Sequence, residues 1–254
     1  MTASPSPSAS LIVSLGIPGL ALGVWALALY GVHPTLRESR TTVRVGLASG
    51  AWLLYTALIA SAGLLARTDF KPLPMLLLFL PLVALSVSFA FSRVGGRLAQ
   101  TTPLQWLLGL HAFRLPLELV MHEAAREQVM PVQMTFTGWN FDILTGLSAT
   151  ILCLGWSYLR PTRAWTLAFN VLGSLLLSAI VAIALASLPA FHRFGTEPEQ
   201  LNTWVAYFPY VWLPAVLVAA ALIGHLLLWR RLLSIHAGVA CNTFNSASGS
   251  TRLT

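Results

Sequence analysis

Six stretches of this chain, near residues 10–32, 46–66, 73–92, 141–159, 164–188 and 204–229, run for about twenty residues each with almost no charge. That length matches the hydrocarbon core of a bilayer, which a helix crosses in about 20 apolar residues. Within that core every backbone N–H and C=O must find its partner inside the segment, so runs of this length fold as helices. Composition points the same way: 9% of residues are charged and 56% hydrophobic, with a mean hydropathy of +0.75. A soluble chain carries about 25% charged residues. The expected fold class is therefore all-α, a polytopic transmembrane bundle with the lipid bilayer as its first partner.

A seventh segment, residues 103–122, is ambiguous by hydropathy. Arg114 costs about 3 kcal/mol at a helix centre and Glu118 somewhat less, while seven leucines return about half a kcal/mol each. The balance is near zero, so the distribution of basic residues decides. If 103–122 crosses, one side of the membrane holds Arg37, Arg40, Arg44, Arg93, Arg97, Arg160, Arg163, Arg230, Arg231 and Arg252. The other holds Arg67, Lys71, Arg126 and Arg193, with Arg114 left within the membrane. A ten-to-four bias places the richer side inside. If the segment does not cross, the count becomes 7 against 8 and the bias vanishes. The expectation is seven helices, with the N-terminus outside and the C-terminus inside. Residues 1–9 read as a disordered N-terminus, 10–236 as the membrane domain, and the Ser/Thr/Asn-rich 237–254 as a disordered cytoplasmic tail. The polar start lacks the basic stretch of a secretory signal, so the first run is expected to remain as a helix. Trp139, Trp204 and Tyr207 fall near the expected outer boundaries, and Trp156, Tyr158 and Trp229 near the inner ones.

The basic residues, although they give a net charge of +7, are scattered singly between apolar runs and form no patch. Nucleic-acid binding is not expected. Cys153 lies in an apolar run and Cys241 in the polar tail, in no metal-ligand spacing and with no disulfide expected between them.

The candidate functional residues centre on segment 103–122. At 100° per residue His111, Arg114, Glu118 and His122 fall within an arc of about 80°, a stripe roughly 16 Å long. Ionisable groups inside a membrane face the bundle interior and mark a substrate or proton path, or pair with one another. Arg114 and Glu118, four residues apart, are the expected ion pair. Pro116 removes the hydrogen bond to the Ala112 carbonyl and predicts a kink. Asn140 and Asp142 open the next helix at the depth of Glu118 and His122, and Tyr207 and Tyr210 are placed on the outer half of the last. Together these residues predict an outward-facing polar pocket with Arg114 as its floor, under a loop that stays outside. Each also has a plainer reading: an Arg114–Glu118 clasp, Asp142 or Asn140 capping a helix N-terminus, His122 wet at the interface, His111 in an interhelical bond. Asn170, Ser174, Ser178, Ala182 and Ala186 repeat every four residues as a small packing face, and His225 has no evident partner at its depth.

Known membrane chemistries fit poorly. A retinal protein needs a lysine in its last helix, and this chain has none there. Seven-helix zinc hydrolases carry paired histidines where only His225 and the distant His236 occur. A b-type haem needs two histidines at one depth, and His111 and His225 are expected roughly 10 Å apart in depth. No cofactor is predicted. His122, Glu118 and Asp142 are the weak candidates for metal ligands.

The stretches "FRLPLELVMH" and "MPVQMTFTGWNFDILTG", between residues 113 and 146, resemble segments of bacterial multi-pass inner-membrane proteins of no assigned activity. The resemblance implies a bacterial inner (plasma) membrane and no particular reaction. The functional expectation is a protein that moves or binds a small solute, an anion, another ion or a proton. The alternatives are a membrane-embedded sensor or accessory subunit, and an intramembrane enzyme, metal-dependent through the three residues just named.

Overall fold

A computed structural model describes residues 9–36, 39–67 and 73–249, and among these the secondary structure is helical with no strand. In chain order the helices are α1 (Leu11–Leu36), α2 (Ser39–Ser61), α3 (Pro74–Phe91), α4 (Arg93–Thr101), α5 (Leu104–Gly109), α6 (Arg114–Arg126), α7 (Ile143–Leu154), α8 (Trp156–Leu159), α9 (Arg163–Ala186) and α10 (Ala219–Gly249). Five are long and apolar enough to cross a membrane: Leu11–Gly31, Arg40–Ser61, Pro74–Phe91, Arg163–Ala186 and Leu213–Ser234.

The long helices show how a chain folds when its solvent is apolar. Val13, Ile17, Ala21 and Val24 bury one stripe of α1 against the bundle, while Leu11, Ile12, Leu15, Leu22 and Leu27 remain exposed. In α3 the buried stripe is Met75, Leu78, Leu82, Ser86 and Ala90, with Pro74 in the first turn, where its missing N–H costs nothing. Exposed leucines would be a liability in water; facing acyl chains they are not.

The ambiguous segment 103–122 is helical throughout but not uniform. Between α5 and α6 the turn Leu110–Phe113 tightens to 3-10 geometry, with the Arg114 N–H donating to the His111 carbonyl. The tightening falls just ahead of Pro116, whose ring nitrogen cannot bond the Ala112 carbonyl, so the disturbance predicted from proline is a local change of helix pitch. Neither half reaches the length of a span alone. Likewise α7 is a short apolar helix of 12 residues, separated from α8 at Gly155.

The last span departs from a regular helix at its start: of the expected run 204–229, Trp204–Ala206 is a 3-10 turn and a π-helical stretch, Leu213–Val218, leads into α10. Pro209 and Pro214 keep regular α-helix from extending outward. Trp204 is fully buried rather than an interfacial anchor. At the other end α10 runs on to Gly249. No proline lies between Pro214 and Gly249 to stop it. Residues 1–8, Arg37, Lys71 and Arg252, used above, lie outside the described residues.

The connection between α6 and α7, expected as a loop on the outer side, is a folded strap. Val129, Met130, Met134, Thr135 and Asn140 are buried. Gln133 Nε2 donates to Ser187 Oγ at 3.1 Å and to the Gln200 carbonyl at 2.8 Å, tying the strap to the end of α9 and the segment beyond it. Asn202 secures that segment in turn, its Nδ2 donating to the Ala184 carbonyl at 3.1 Å.

Candidate functional site

Close helix contact creates the site. Gly146, in the first turn of α7, lies so near the 3-10/α6 junction that a Cβ there would stand 2.3 Å from the Leu115 nitrogen. Only hydrogen fits, and that approach brings the start of α7 against Arg114. Arg114 Nη1 lies 3.0 Å from Asp142 Oδ1, both side chains almost fully buried. The expected Arg114–Glu118 pair is thereby corrected. Spacing along one helix makes Glu118 a possible partner, but tertiary contact supplies Asp142, and the guanidinium turns across the interface. Asp142 does not cap α7 with its side chain. Its backbone N–H instead donates to Asn140 Oδ1 at 3.0 Å, while Asn140 Nδ2 donates to Glu118 Oε1 at 2.7 Å and to the Met134 carbonyl at 3.0 Å. Glu118 is thus held by the strap.

On its other side Arg114 Nη1 approaches His225 Nε2 at 3.3 Å, and His225 Nδ1 meets Asn170 Oδ1 at 2.8 Å. These contacts are consistent with one neutral tautomer, Nδ1–H donating to the asparagine and Nε2 accepting from arginine. The His111 ring packs against His225 at a tilt of 32°, with centroids 4.1 Å apart. The expected separation in depth of about 10 Å does not hold for the rings, because the 3-10 turn and the π-helical stretch change the register along the two helices. Glycines make room for both imidazoles: a Cβ at Gly173 would stand 2.4 Å from His225 Cε1, and one at Gly224 2.7 Å from His111 Nε2.

The polar cluster opens onto a cavity of about 80 Å³. Arg114, Glu118, Asp142 and Asn202 provide its polar lining, and the rest is apolar: Met75 and Phe79 from α3, Leu177 and Leu185 from α9, Leu213 and Leu217 beyond. Arg114 Nη2, Glu118 Oε2 and Asn202 Oδ1 are buried without a hydrogen-bond partner, and Asp142 Oδ1 has only its ion-pair contact with Arg114. Buried polar atoms are normally satisfied, and three left open beside one cavity mark a place where something polar can bind.

Not every predicted residue arrives there. His122 is half-buried and stacks on Phe136, centroids 4.6 Å apart, and it does not line the cavity. Tyr207 and Tyr210 belong to the irregular segment before Leu213; Tyr210 is buried against Trp204 at 5.0 Å. His111 stands behind Arg114, away from the lining. The trio His122, Glu118 and Asp142 is not gathered around a point, and among the described residues no group of three or more His, Cys, Asp or Glu could hold a metal ion. Asn170 and His225 are the residues missed. Asn170 is fully buried; it heads the four-residue repeat and is the one amide of its helix, and neither signal names its partner.

A larger crevice of about 490 Å³ lies between α1, α2, α3 and α10, lined by Trp25, Trp52, Phe89 and Trp106, with only Ser49, Ser86 and Thr102 as polar lining. It contains no charge. Compared with protein families, curated proteins and solved structures, the chain matches none.

Proposed function

We propose that this chain is a seven-span protein of a bacterial inner membrane, N-terminus outside and C-terminus inside, that binds a small solute in the cavity above Arg114. Transport of that solute is the natural extension of the same site. The observation that carries the reading is the set of open buried atoms, Arg114 Nη2 and Glu118 Oε2 foremost, at a cavity whose only other polar lining is Asp142 and Asn202. Keeping ionised or protonatable groups inside a membrane is costly. A structural clasp would close on itself, as Arg114 and Asp142 nearly do, and would leave no open valence.

The seven crossings count the α5–α6 segment and the α7–α8 segment with the five long helices. Support for the orientation comes from the ten-to-four distribution of basic residues.

The test is retention of a small molecule. Wild-type protein extracted into lipid nanodiscs should release, on denaturation, a compound detectable by mass spectrometry. Leu185→Trp, which fills the apolar part of the cavity, should release much less while keeping its unfolding transition. Equal yields from the two proteins would remove the cavity as the binding site.

A further inference from the structure

Resting on the binding cavity proposed above, we infer that its solute carries a primary carboxamide head on a short apolar body. The head follows from the hydrogen-bonding atoms that the cavity leaves open. Among the described residues, three buried atoms of the lining have no partner: Arg114 Nη2, Glu118 Oε2 and Asn202 Oδ1. Asp142 Oδ1 stands apart from them, because Arg114 Nη1 already holds it at 3.0 Å. The companion atoms of the open ones are engaged too. Asn140 Nδ2 donates to Glu118 Oε1 at 2.7 Å, and Asn202 Nδ2 donates to the Ala184 carbonyl at 3.1 Å.

Two of the three open atoms have a fixed sense. Arg114 Nη2 can only donate, and Asn202 Oδ1 can only accept. Glu118 Oε2 accepts when its carboxyl is ionised, and the same carboxyl donates when protonated. A primary carboxamide serves all three in either state. Its oxygen accepts from Arg114, one N–H donates to Asn202, and the second donates to an ionised Glu118. With Glu118 protonated, the carboxyl O–H donates to the second lone pair of the amide oxygen.

Other heads leave one of these atoms unanswered. A carboxylate has no hydrogen for Asn202 Oδ1, and neither has a ketone or an ester. An ammonium has no lone pair for Arg114 Nη2. A hydroxyl has a single hydrogen and serves all three only with Glu118 protonated. A zwitterion carries two full charges and more donors and acceptors than three open atoms can meet.

Size and wall set the body. About 80 Å³ is room for roughly six waters, and so for a molecule of about six non-hydrogen atoms. Beyond the polar atoms the wall is Phe79 of α3, Leu177, Val181 and Leu185 of α9, and Leu217. Apolar carbons gain by lying against it, whereas a charged group there would lose its hydration uncompensated.

Butyramide, 2-pentanone, butyrate and pentylammonium match in size and differ in the head. Each is titrated at equal ionic strength into protein in nanodiscs of zwitterionic lipid, with thermal unfolding as readout. Butyramide should raise the melting temperature of the wild type. Its half-maximal concentration should lie on the order of tenfold or more below that of 2-pentanone, which keeps the oxygen and lacks the N–H donors. Leu185→Trp fills the apolar arm and should abolish the response; Val181→Phe, on the same wall, is read in its place if that variant does not fold. Preference for the ketone, the carboxylate or the ammonium, or an equal response to all four, would overturn the carboxamide head and leave the binding cavity standing. Equal stabilisation of wild type and the filled variant would place butyramide elsewhere and overturn the inference. No response to any of the four, as expected of a cavity that holds only water, overturns it as well. Release of a co-purifying molecule by wild type but not by the filled variant then shows whether the cavity itself still binds.

Discussion

Arg114 is held from two helices other than its own, by Asp142 ahead of α7 and by His225 on α10, so its removal loosens three elements together. Arg114→Ala leaves Asp142 buried without its counter-charge and should destabilise by about 3–5 kcal/mol. Removing Asp142 together with Arg114 should be clearly milder than Arg114→Ala alone. Arg114→Ala combined with Glu118→Ala should approach the sum of the two single effects. Unfolding midpoints in detergent for the three single and two double variants check this, and stronger coupling to Glu118 than to Asp142 would contradict the observed pairing. A second residue reports on pH. The Ser10 side chain and the Ser10 N–H, which donates to Glu127 Oε2 at 2.8 Å, together hold the Glu127 carboxyl below its ordinary range. A depressed folded value stabilises the protein above the ordinary glutamate value of about 4.3, and the contribution is lost as pH falls through the folded value. Glu127→Gln should therefore melt slightly below wild type at neutral pH, and the two curves should converge in acid. A constant gap across the range would show that the carboxylate is not responsible.

At the level of elements the site depends on three close approaches, each permitted by a missing side chain. Gly146→Ala forces a Cβ against the Leu115 backbone, which cannot yield as a flexible side chain would. Overpacking of this kind costs about 1–3 kcal/mol, and here it also moves Asp142 away from Arg114. Gly173→Ala presses instead on the His225 ring, which must turn and give up its contacts with Asn170 and Arg114. Both variants should lower the unfolding midpoint, and the Gly173 variant should also alter the imidazole environment of His225 seen by nitrogen NMR. An unchanged His225 signal would mean that α9 and α10 can separate without disturbing the cluster. The strap follows the same logic: Gln133 and Asn140 bind it to α9 and to Glu118, so the residues that close the top of the cavity also orient its carboxyl group.

For the molecule as a whole, the orientation gives a direct prediction. Reporters fused after Ser10 and after Thr254 should report opposite sides of the membrane, the first outside and the second inside. Finding both ends in one compartment would change the number of crossings by one and remove α5–α6 or α7–α8 from the spans. The distribution of exposed leucines fits a bundle whose outer surface meets lipid: α1, α2, α3 and α9 each present several, while the π-helical stretch and the helix after it bury Leu213, Leu217, Leu227 and Leu228. That last helix is the central one, and its environment explains why His225 sits there protected.

Much of this was legible in the residues alone. Uninterrupted apolar runs dictate helices in lipid, because no other backbone state satisfies its own hydrogen bonds there. Helical period and rise placed Arg114 and Glu118 on one inward face, and the short step from Asn140 to Asp142 set both at matching depth. Rise along an axis is a local property, so those depths could be computed. Partner choice is not local. Whether Arg114 turns to Glu118 or to Asp142, whether His111 meets His225, and whether residues 127–142 hang outside or fold over the cavity all depend on tilt, rotation and approach distance between helices. Pro116, Pro209 and Pro214 each shift register by amounts no repeat pattern encodes. Apolar run length and helical period are enough to name the solvent, most of the helices and the buried charges; which of those charges meet is settled by packing across interfaces and not by spacing along a chain.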